Sequence, residues 1–150
     1  MLLSQTSTYA VRAAIHLAEH AETARVPVGD IATALGVPRN YLSKILHTLA
    51  KRDLLSSSRG RGGGFELIVP AAALPLLAVV EPFDELEARQ QCLLGRTRCS
   101  DQSPCAAHHR WKEMVDRVTA FFRETTVQDL IQGNRPNGQP APRADLAVRP

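Results

Sequence analysis

The sequence predicts a mainly α-helical fold that carries one small β-hairpin. Three features support this prediction. Apolar residues recur at three- and four-residue spacing in several stretches, two short stretches of β-type residues flank a glycine-rich tip, and proline or glycine separates most segments. With 150 residues, of which 44% are hydrophobic, the chain can form one domain, or a small domain with an appended element.

The first predicted helix runs from about Ser7 to His20, and a polar loop over residues 21–27 follows it. Its apolar residues share one helical face, Val11, Ala14, Ile15 and Ala18. The start of the chain has no basic stretch before an uninterrupted apolar core, so it does not resemble an export signal. The longest uncharged apolar run, residues 67–80, is too short to span a bilayer. A cytoplasmic protein with no membrane partner is therefore expected.

A short helix and a longer one follow, separated by a glycine turn. Asp30 is expected to cap the short helix over residues 31–35, and Gly36 to end it. Pro38 then lies in the first turn of the longer helix, where proline is tolerated. The apolar stripe of the longer helix comprises Tyr41, Leu42, Ile45, Leu46 and Leu49. Its opposite face comprises Arg39, Asn40, Ser43, Lys44, His47 and Lys51, and these residues together with Tyr41 are predicted to face DNA. This is a helix-turn-helix pattern, although an ordinary amphipathic helix with a solvated charged face also fits.

The next segment favours the first interpretation. Residues 54–59 and 65–69 are predicted to form two short strands joined by a glycine-rich tip that carries Arg59 and Arg61. A nucleotide-binding loop would end in Gly-Lys-Ser/Thr and lead into a helix, and an RNA-binding arginine–glycine segment would not be flanked by apolar strands. The hairpin therefore predicts a wing whose arginines reach phosphates or the minor groove. Residues 1–80 form a winged helix-turn-helix domain in this interpretation.

The positive charge of the chain is local. The net charge is +3 and the isoelectric point is about 9.0. Between Arg39 and Arg61, six basic residues accompany a single acid, Asp53, so this stretch alone carries +5. Double-stranded operator DNA is therefore the predicted partner.

A long helix is predicted near the end of the chain. Residues 71–80 form a short apolar element, helical after Pro75, and residues 81–105 form a loop that contains the cysteines. Between residues 106 and 131, apolar residues recur at the spacing of one long amphipathic helix. These residues are Trp111, Met114, Val115, Val118, Phe121 and Phe122, and Thr125 continues the pattern. A small winged helix cannot bury this stripe alone, so residues 106–132 are predicted to join two subunits, unless the first half folds back on its own domain. Residues 133–150, rich in proline, glycine and asparagine, are expected to be a disordered tail.

Three cysteines lie within 14 residues, and the chain has no others. In a reducing compartment such a cluster indicates metal binding or catalysis rather than disulfides. The wide spacing of Cys92, Cys99 and Cys105 is atypical of zinc knuckles and fits an iron–sulphur cluster. The nearby basic residues Arg96, Arg98, Arg110 and Lys112 would favour the thiolate form of these cysteines. His108 is the candidate fourth ligand, and the adjacent His109 is the alternative.

These residues resemble the IscR/NsrR-like winged-helix regulators, the bacterial Rrf-two family, over about residues 1–131. The resemblance includes Tyr9-Ala10-Val11, Tyr41-Leu42, the wing from Arg59 to Phe65, the three cysteines and the terminal helix. It implies a homodimer on a partly palindromic operator, with one cluster per subunit. The ligand set Cys92, Cys99, Cys105 and His108 matches the branch that holds a [2Fe-2S] cluster, while [4Fe-4S] stays open. The nitric-oxide-sensing branch has an aspartate at a position occupied here by Thr8, a poor ligand.

The sequence therefore predicts a transcriptional regulator, usually a repressor, that responds to redox, iron or cluster status. The alternatives are a regulator with a thiol–disulfide or zinc switch, a nitric-oxide sensor, and a small metalloenzyme. No glutamate is placed as a general base beside the cysteines, so neither enzymatic activity nor a small-molecule substrate is expected.

Overall fold

The chain has the predicted fold class, mainly helical with one antiparallel hairpin. The structure, a computed structural model, describes residues 3–22, 25–84, 86, 92–94 and 100–133. The elements in these residues are α1 Gln5–Glu19, α2 Val28–Leu35, α3 Arg39–Ala50, β1 Leu55–Ser58, β2 Gly64–Leu67, a 3-10 helix Ala71–Ala73, α4 Leu76–Asp84, α5 His108–Glu124 and α6 Val127–Gln132.

Helix α1 contacts most of the other elements and organises the core. Its buried face includes Ala10, Ala13, Ala14 and Leu17. The small alanine side chains let neighbouring helices approach closely. Ser4 caps the helix, because its hydroxyl accepts a hydrogen bond from the Ser7 N–H at 3.1 Å. The Ser4 N–H in turn donates to the Asp84 carboxylate at 2.8 Å. The start of α1 is thereby fastened to the end of α4.

Helices α2 and α3 form the predicted helix-turn-helix. Gly36 ends α2 with a φ of 65°, a left-handed conformation that glycine adopts without steric cost. The predicted cap of α2 is wrong, because the Pro27 carbonyl already accepts the Asp30 N–H at 3.0 Å. Pro27 is thus the N-cap and Asp30 lies in the first turn. Likewise, Pro38 is the N-cap of α3 and precedes its first turn.

The two strands pair in antiparallel register from Leu55 with Leu67 to Ser58 with Gly64. The tip turns through Gly60 and Gly62, whose φ angles are 87° and 70°. Phe65 also exchanges backbone hydrogen bonds with Val26, both at 2.9 Å. At Gly64 a side chain would collide with the Val26 carbonyl, so this close approach requires glycine. The hairpin is therefore attached to the chain that enters α2.

The long helix predicted over residues 106–131 is wrong in one respect, because it is broken into α5 and α6. Thr125 is extended, with φ −86° and ψ 126°. Its carbonyl accepts the Leu76 N–H at 2.9 Å, and the Val127 N–H donates to the Leu74 carbonyl at 2.9 Å. Hydrogen bonding to the start of α4 thus replaces helical hydrogen bonds at the break. Helix α6 then packs on α1 with Val127 fully buried.

None of the helices in the described part of the chain is both long enough and apolar enough to cross a membrane. The tail predicted to be disordered lies outside the described residues from 134 onward. The segment predicted as the cysteine loop begins inside α4, which continues to Asp84.

Candidate DNA-binding surface and cysteine site

The core fixes which face of α3 is exposed. Leu42, Ile45, Leu46 and Leu49 are at most 2% exposed and pack into the domain. On the opposite side, Ser43 is half-buried, and the remaining side chains that the sequence predicted to face DNA are exposed, Arg39, Asn40, Tyr41, Lys44, His47, Lys51, Arg59 and Arg61. The structure therefore exposes basic residues of both α3 and the wing.

Tyr41 differs from its predicted place in the apolar stripe, because its ring is 37% exposed. The Tyr41 hydroxyl lies 2.5 Å from the Thr6 hydroxyl of α1, in a hydrogen bond that either group can donate. Its ring meets the Tyr9 ring edge-on, with 6.0 Å between the centroids. Helix α1 thus anchors the exposed face of α3, a contact that the periodicity of α3 does not indicate.

An open groove of about 620 Å³ lies between α3 and the hairpin. Arg39, Ser43 and His47 line one wall, and Arg59 with the glycines of the tip lines the other. The start of α2, at Val28 and Gly29, closes one side of this groove. Cationic side chains and the N-terminal end of a helix both favour an anionic ligand such as a phosphate.

The orientation of the wing depends on residues that sequence reasoning missed. The Arg25 guanidinium donates to Glu66 on β2 and to Ser56 on β1, both at 2.9 Å. The His47 ring meets Phe65 of β2 edge-on at 5.2 Å. These contacts fix the hairpin relative to α2 and α3. Arg25 lies 41 residues from Glu66 in sequence, so only the folded chain reveals their pairing.

The cysteine site is described in part. Cys92 is buried and Cys105 is half-buried, and no disulfide joins them. Cys99, Arg96 and Arg98 lie outside the described residues. Within the described residues, no three histidine, cysteine, aspartate or glutamate side chains form a group that could hold a metal ion.

His108 and His109 have opposite environments. The His108 side chain is 2% exposed, whereas His109 is exposed. The backbone N–H of His108 donates to the backbone carbonyl of Cys105 at 3.0 Å, so both residues lie in the turn that opens α5. A buried imidazole in the same turn as a cysteine is compatible with a metal centre that has mixed sulphur and nitrogen ligands. Thr8 lies on α1, where its hydroxyl donates to the Ser4 carbonyl at 3.1 Å.

Asp101 binds the His108 ring and was not identified from the sequence. Its Oδ1 lies 2.7 Å from His108 Nε2, and its Oδ2 lies 3.2 Å from Lys112 Nζ. The hydrogen bond from His108, and then that from Lys112, lowers the pKa of the Asp101 carboxyl. An ionised carboxylate thus connects the segment before Cys105 to the first turns of α5.

The apolar stripe predicted as a dimer interface is divided by the structure. Phe122 is 4% exposed and belongs to the core of its own chain, which differs from the predicted location and reflects the packing of the second half of α5 on the domain. Val118 packs against that core, and Trp111 and Val115 are half-buried. Met114 and Phe121 are 47% and 52% exposed beside a groove that Arg110 and Arg117 also line.

Comparisons with known proteins agree with this geometry. Residues 3–133 match the Rrf2 family, described as iron-dependent transcriptional regulators. The chain is 33% identical over 131 residues to the HTH-type transcriptional regulator IscR of Enterobacter sp. strain 638, covering 87% of this chain and 80% of that one. The structure resembles CymR, the global cysteine regulator of B. subtilis, with a TM-score of 0.74 and 20% identity, over 89% of this chain and 98% of CymR.

The structure also resembles T. potens IscR, with a TM-score of 0.71 and 18% identity over 91% of this chain and 90% of that one. These relatives are transcriptional regulators and not enzymes, and a helix-turn-helix regulator acts by binding DNA. The family match covers the winged helix, the cysteine segment and the terminal helices together. The chain belongs to the Rrf2 family of helix-turn-helix transcriptional regulators and is IscR-like in sequence.

Proposed function

We propose that this chain is a homodimeric repressor whose operator affinity depends on an iron–sulphur cluster bound by Cys92, Cys99, Cys105 and His108. The cluster is [2Fe-2S] rather than [4Fe-4S], because imidazole replaces thiolate in known [2Fe-2S] centres. The protein acts in the cytoplasm, where the operator is located. The winged helix-turn-helix domain binds DNA, the cysteine segment after α4 and His108 hold the cluster, and the exposed face of α5 with Met114 and Phe121 joins the subunits.

The burial of His108 beside Cys105 is the observation that supports this proposal most directly. A histidine that served only solubility would be exposed, as His109 is. The cluster, when bound, supplies a centre that can be oxidised, reduced or lost. Cys92 follows α4, and Cys105 and His108 open α5, so ligands from both sides of the segment would restrain it. The four ligands thereby couple the state of the site to the arrangement of the helices.

The first experiment tests whether a cluster is bound. Protein purified under nitrogen should be reddish-brown, and its Mössbauer spectrum should identify a [2Fe-2S] cluster with one non-cysteine ligand. Any of Cys92→Ala, Cys99→Ala or Cys105→Ala should abolish a stable cluster, and His108→Ala should shorten its lifetime, while the matched variant His109→Ala should retain it. Colourless protein that contains zinc, or only free thiols, would support the zinc or thiol–disulfide switch instead.

A second experiment tests the proposed DNA contacts. Lys44 is exposed on α3, and we infer that it contacts base edges, so Lys44→Ala should change the preference among operator variants. Arg59 lines the groove beside the wing, so Arg59→Ala should weaken binding to most sequences and lower the salt slope by about one unit. Anisotropy titrations at several salt concentrations measure both effects. Wild-type behaviour of both variants would refute this orientation on DNA.

A further inference from the structure

The Asp101 carboxylate forms hydrogen bonds with the candidate ligand His108 and with Lys112, both on α5. Asp101 Oδ1 accepts from His108 Nε2 at 2.7 Å while Oδ2 accepts from Lys112 Nζ at 3.2 Å. The Asp101 side chain is 71% exposed, whereas the His108 side chain is 2% exposed. The hydrogen bond therefore enters the site from the solvent side, and the rest of the imidazole is enclosed by protein.

This hydrogen bond determines which ring nitrogen is free. A neutral imidazole has one N–H and one lone pair, and an ionised carboxylate can only accept. Nε2 must therefore carry the proton, which leaves the lone pair on Nδ1. Histidines that bind metals characteristically donate their other ring N–H to a carboxylate, which fixes the tautomer and the ring orientation. The pair formed by Asp101 and His108 has this arrangement.

We propose that Asp101 is a positioning residue for His108, holding the ring as the Nε2–H tautomer so that Nδ1 is the atom that binds iron. The inference rests on the proposed cluster function. Lys112 contributes by holding the second carboxylate oxygen, so that two contacts from α5 fix the orientation of Asp101. If Nε2 were the iron ligand, the hydrogen bond to Asp101 would have to break as the cluster binds.

A capping role for Asp101 is the structural alternative, because a carboxylate near the start of α5 also favours the helix dipole. The N-cap of α5, Ala107, has no side-chain hydrogen bond. Removing Asp101 would then lower helix stability without affecting the tautomer of His108. Asp116 provides a matched control, since it is an exposed aspartate on α5 that lines the same surface groove as Asp101.

The tautomer can be measured in the full-length, cluster-free protein. Nitrogen-15 NMR, at a pH high enough to keep the imidazoles neutral, should show a single Nε2–H tautomer for His108 in wild type and in Asp116→Ala. In Asp101→Ala the two tautomers should interconvert, while the thermal unfolding temperature separates this effect from loss of structure. A single Nε2–H tautomer that persists in folded Asp101→Ala would overturn the positioning role.

The ligating atom can be measured in the cluster-loaded protein. Samples labelled with ¹⁵N at either Nδ1 or Nε2 of histidine would be compared by ENDOR on the reduced cluster, with His108→Ala as the reference without this ligand. We expect strong coupling from the Nδ1 label alone. We also expect the half-life of the cluster under a chelator to fall about tenfold or more in Asp101→Ala and to be unchanged in Asp116→Ala.

The outcomes separate this inference from the proposed function. Strong coupling from the Nε2 label would refute the role of Asp101 and leave a cluster bound by His108. A cluster without coupling to either label would refute both the Asp101 role and the His108 ligand, but not cluster binding itself. Protein that never acquires a cluster would refute the proposed function and this role together.

Discussion

Individual side chains join α1 to the recognition helix α3. The Tyr41 and Thr6 hydroxyls are 2.5 Å apart, and the Tyr9 ring supports the Tyr41 ring edge-on. We expect Tyr41→Phe to lower the free energy of unfolding by about 0.5–1.5 kcal/mol, because one hydrogen bond is lost and the ring stays packed. Urea denaturation of Tyr41→Phe, Thr6→Val and the double variant measures this contribution. Strictly additive effects would show that the two hydroxyls are not coupled.

Individual side chains also show which contacts the sequence predicts and which it does not. Helical periodicity correctly assigned Leu42, Ile45 and Leu46 to the core, because a core-facing stripe repeats along the helix. Periodicity placed Tyr41 in that stripe although its ring lies at the exposed edge. The hydrogen bond between Asp101 and His108 could not be predicted either. It depends on how an irregular segment turns, and no local pattern encodes that turn.

Among the elements, the break between α5 and α6 is stabilised by a capping box. The Asp129 N–H donates to the Thr126 hydroxyl at 3.2 Å, and the Thr126 N–H donates to the Asp129 carboxylate at 2.8 Å. The residues Thr126-x-x-Asp129 are a recognisable helix-start signal in the sequence. The apolar repeat continues on both sides of the break, so periodicity alone predicted one uninterrupted helix. The capping signal was therefore the better guide to this boundary.

The capping box predicts a pH-dependent contribution to stability. Hydrogen bonds from the Thr126 backbone and hydroxyl lower the pKa of Asp129 from its ordinary value of 3.8. Since the folded-state pKa is the lower one, the stabilisation is complete above 3.8 and is lost as the pH falls through the folded-state pKa. Asp129→Asn should be less stable than wild type at neutral pH, and the difference should shrink in acid. Urea denaturation at several pH values measures it.

Two results would contradict this prediction. A stability difference between wild type and Asp129→Asn that is the same at neutral and acidic pH would show that the ionised carboxylate is not responsible. Thr126→Ala serves as the partner variant, and we expect it to cost about 1 kcal/mol of unfolding free energy, as N-cap removal usually does. A neutral effect of Thr126→Ala would show that the hydrogen bonds to Leu74 and Leu76 maintain the break without the cap.

For the whole molecule, the proposed dimer is best tested at Phe121. Phe121 is 52% exposed in a single chain, so a charge there disturbs the core less than a charge at Phe122, whose buried ring it contacts edge-on. An unpaired carboxylate buried between subunits costs several kcal/mol, so Phe121→Asp should dissociate the dimer. Sedimentation velocity should show a dimer for wild type and for Ala34→Asp, an exposed control position on α2. A monomeric wild type at micromolar concentration would refute the dimer.

Contacts through α1 connect the end of α4 to the recognition helix. Asp84, which is 2% exposed, accepts from the Ser4 N–H at the start of α1. Two residues further along the chain, Thr6 contacts Tyr41 on α3. The cysteine segment follows α4, so a change in that segment can reach the DNA-binding face through the first turn of α1. The energies are comparable, because a tenfold change in operator affinity is about 1.4 kcal/mol and a hydrogen bond to a charged group contributes about 1.5–3 kcal/mol.

We therefore expect Asp84→Asn, which keeps the side-chain volume but weakens the acceptor, to reduce the difference in operator affinity between cluster-loaded and cluster-free protein several-fold. Fluorescence anisotropy on both forms measures the ratio of their operator affinities, with Asp116→Asn as the control. Binding coupling is reciprocal, so operator DNA should also change cluster affinity by the same factor in wild type and by a smaller factor in Asp84→Asn. An unchanged ratio in a folded Asp84→Asn protein would show that the coupling bypasses α1 and runs through other contacts of α4, such as those with α3 or with α5.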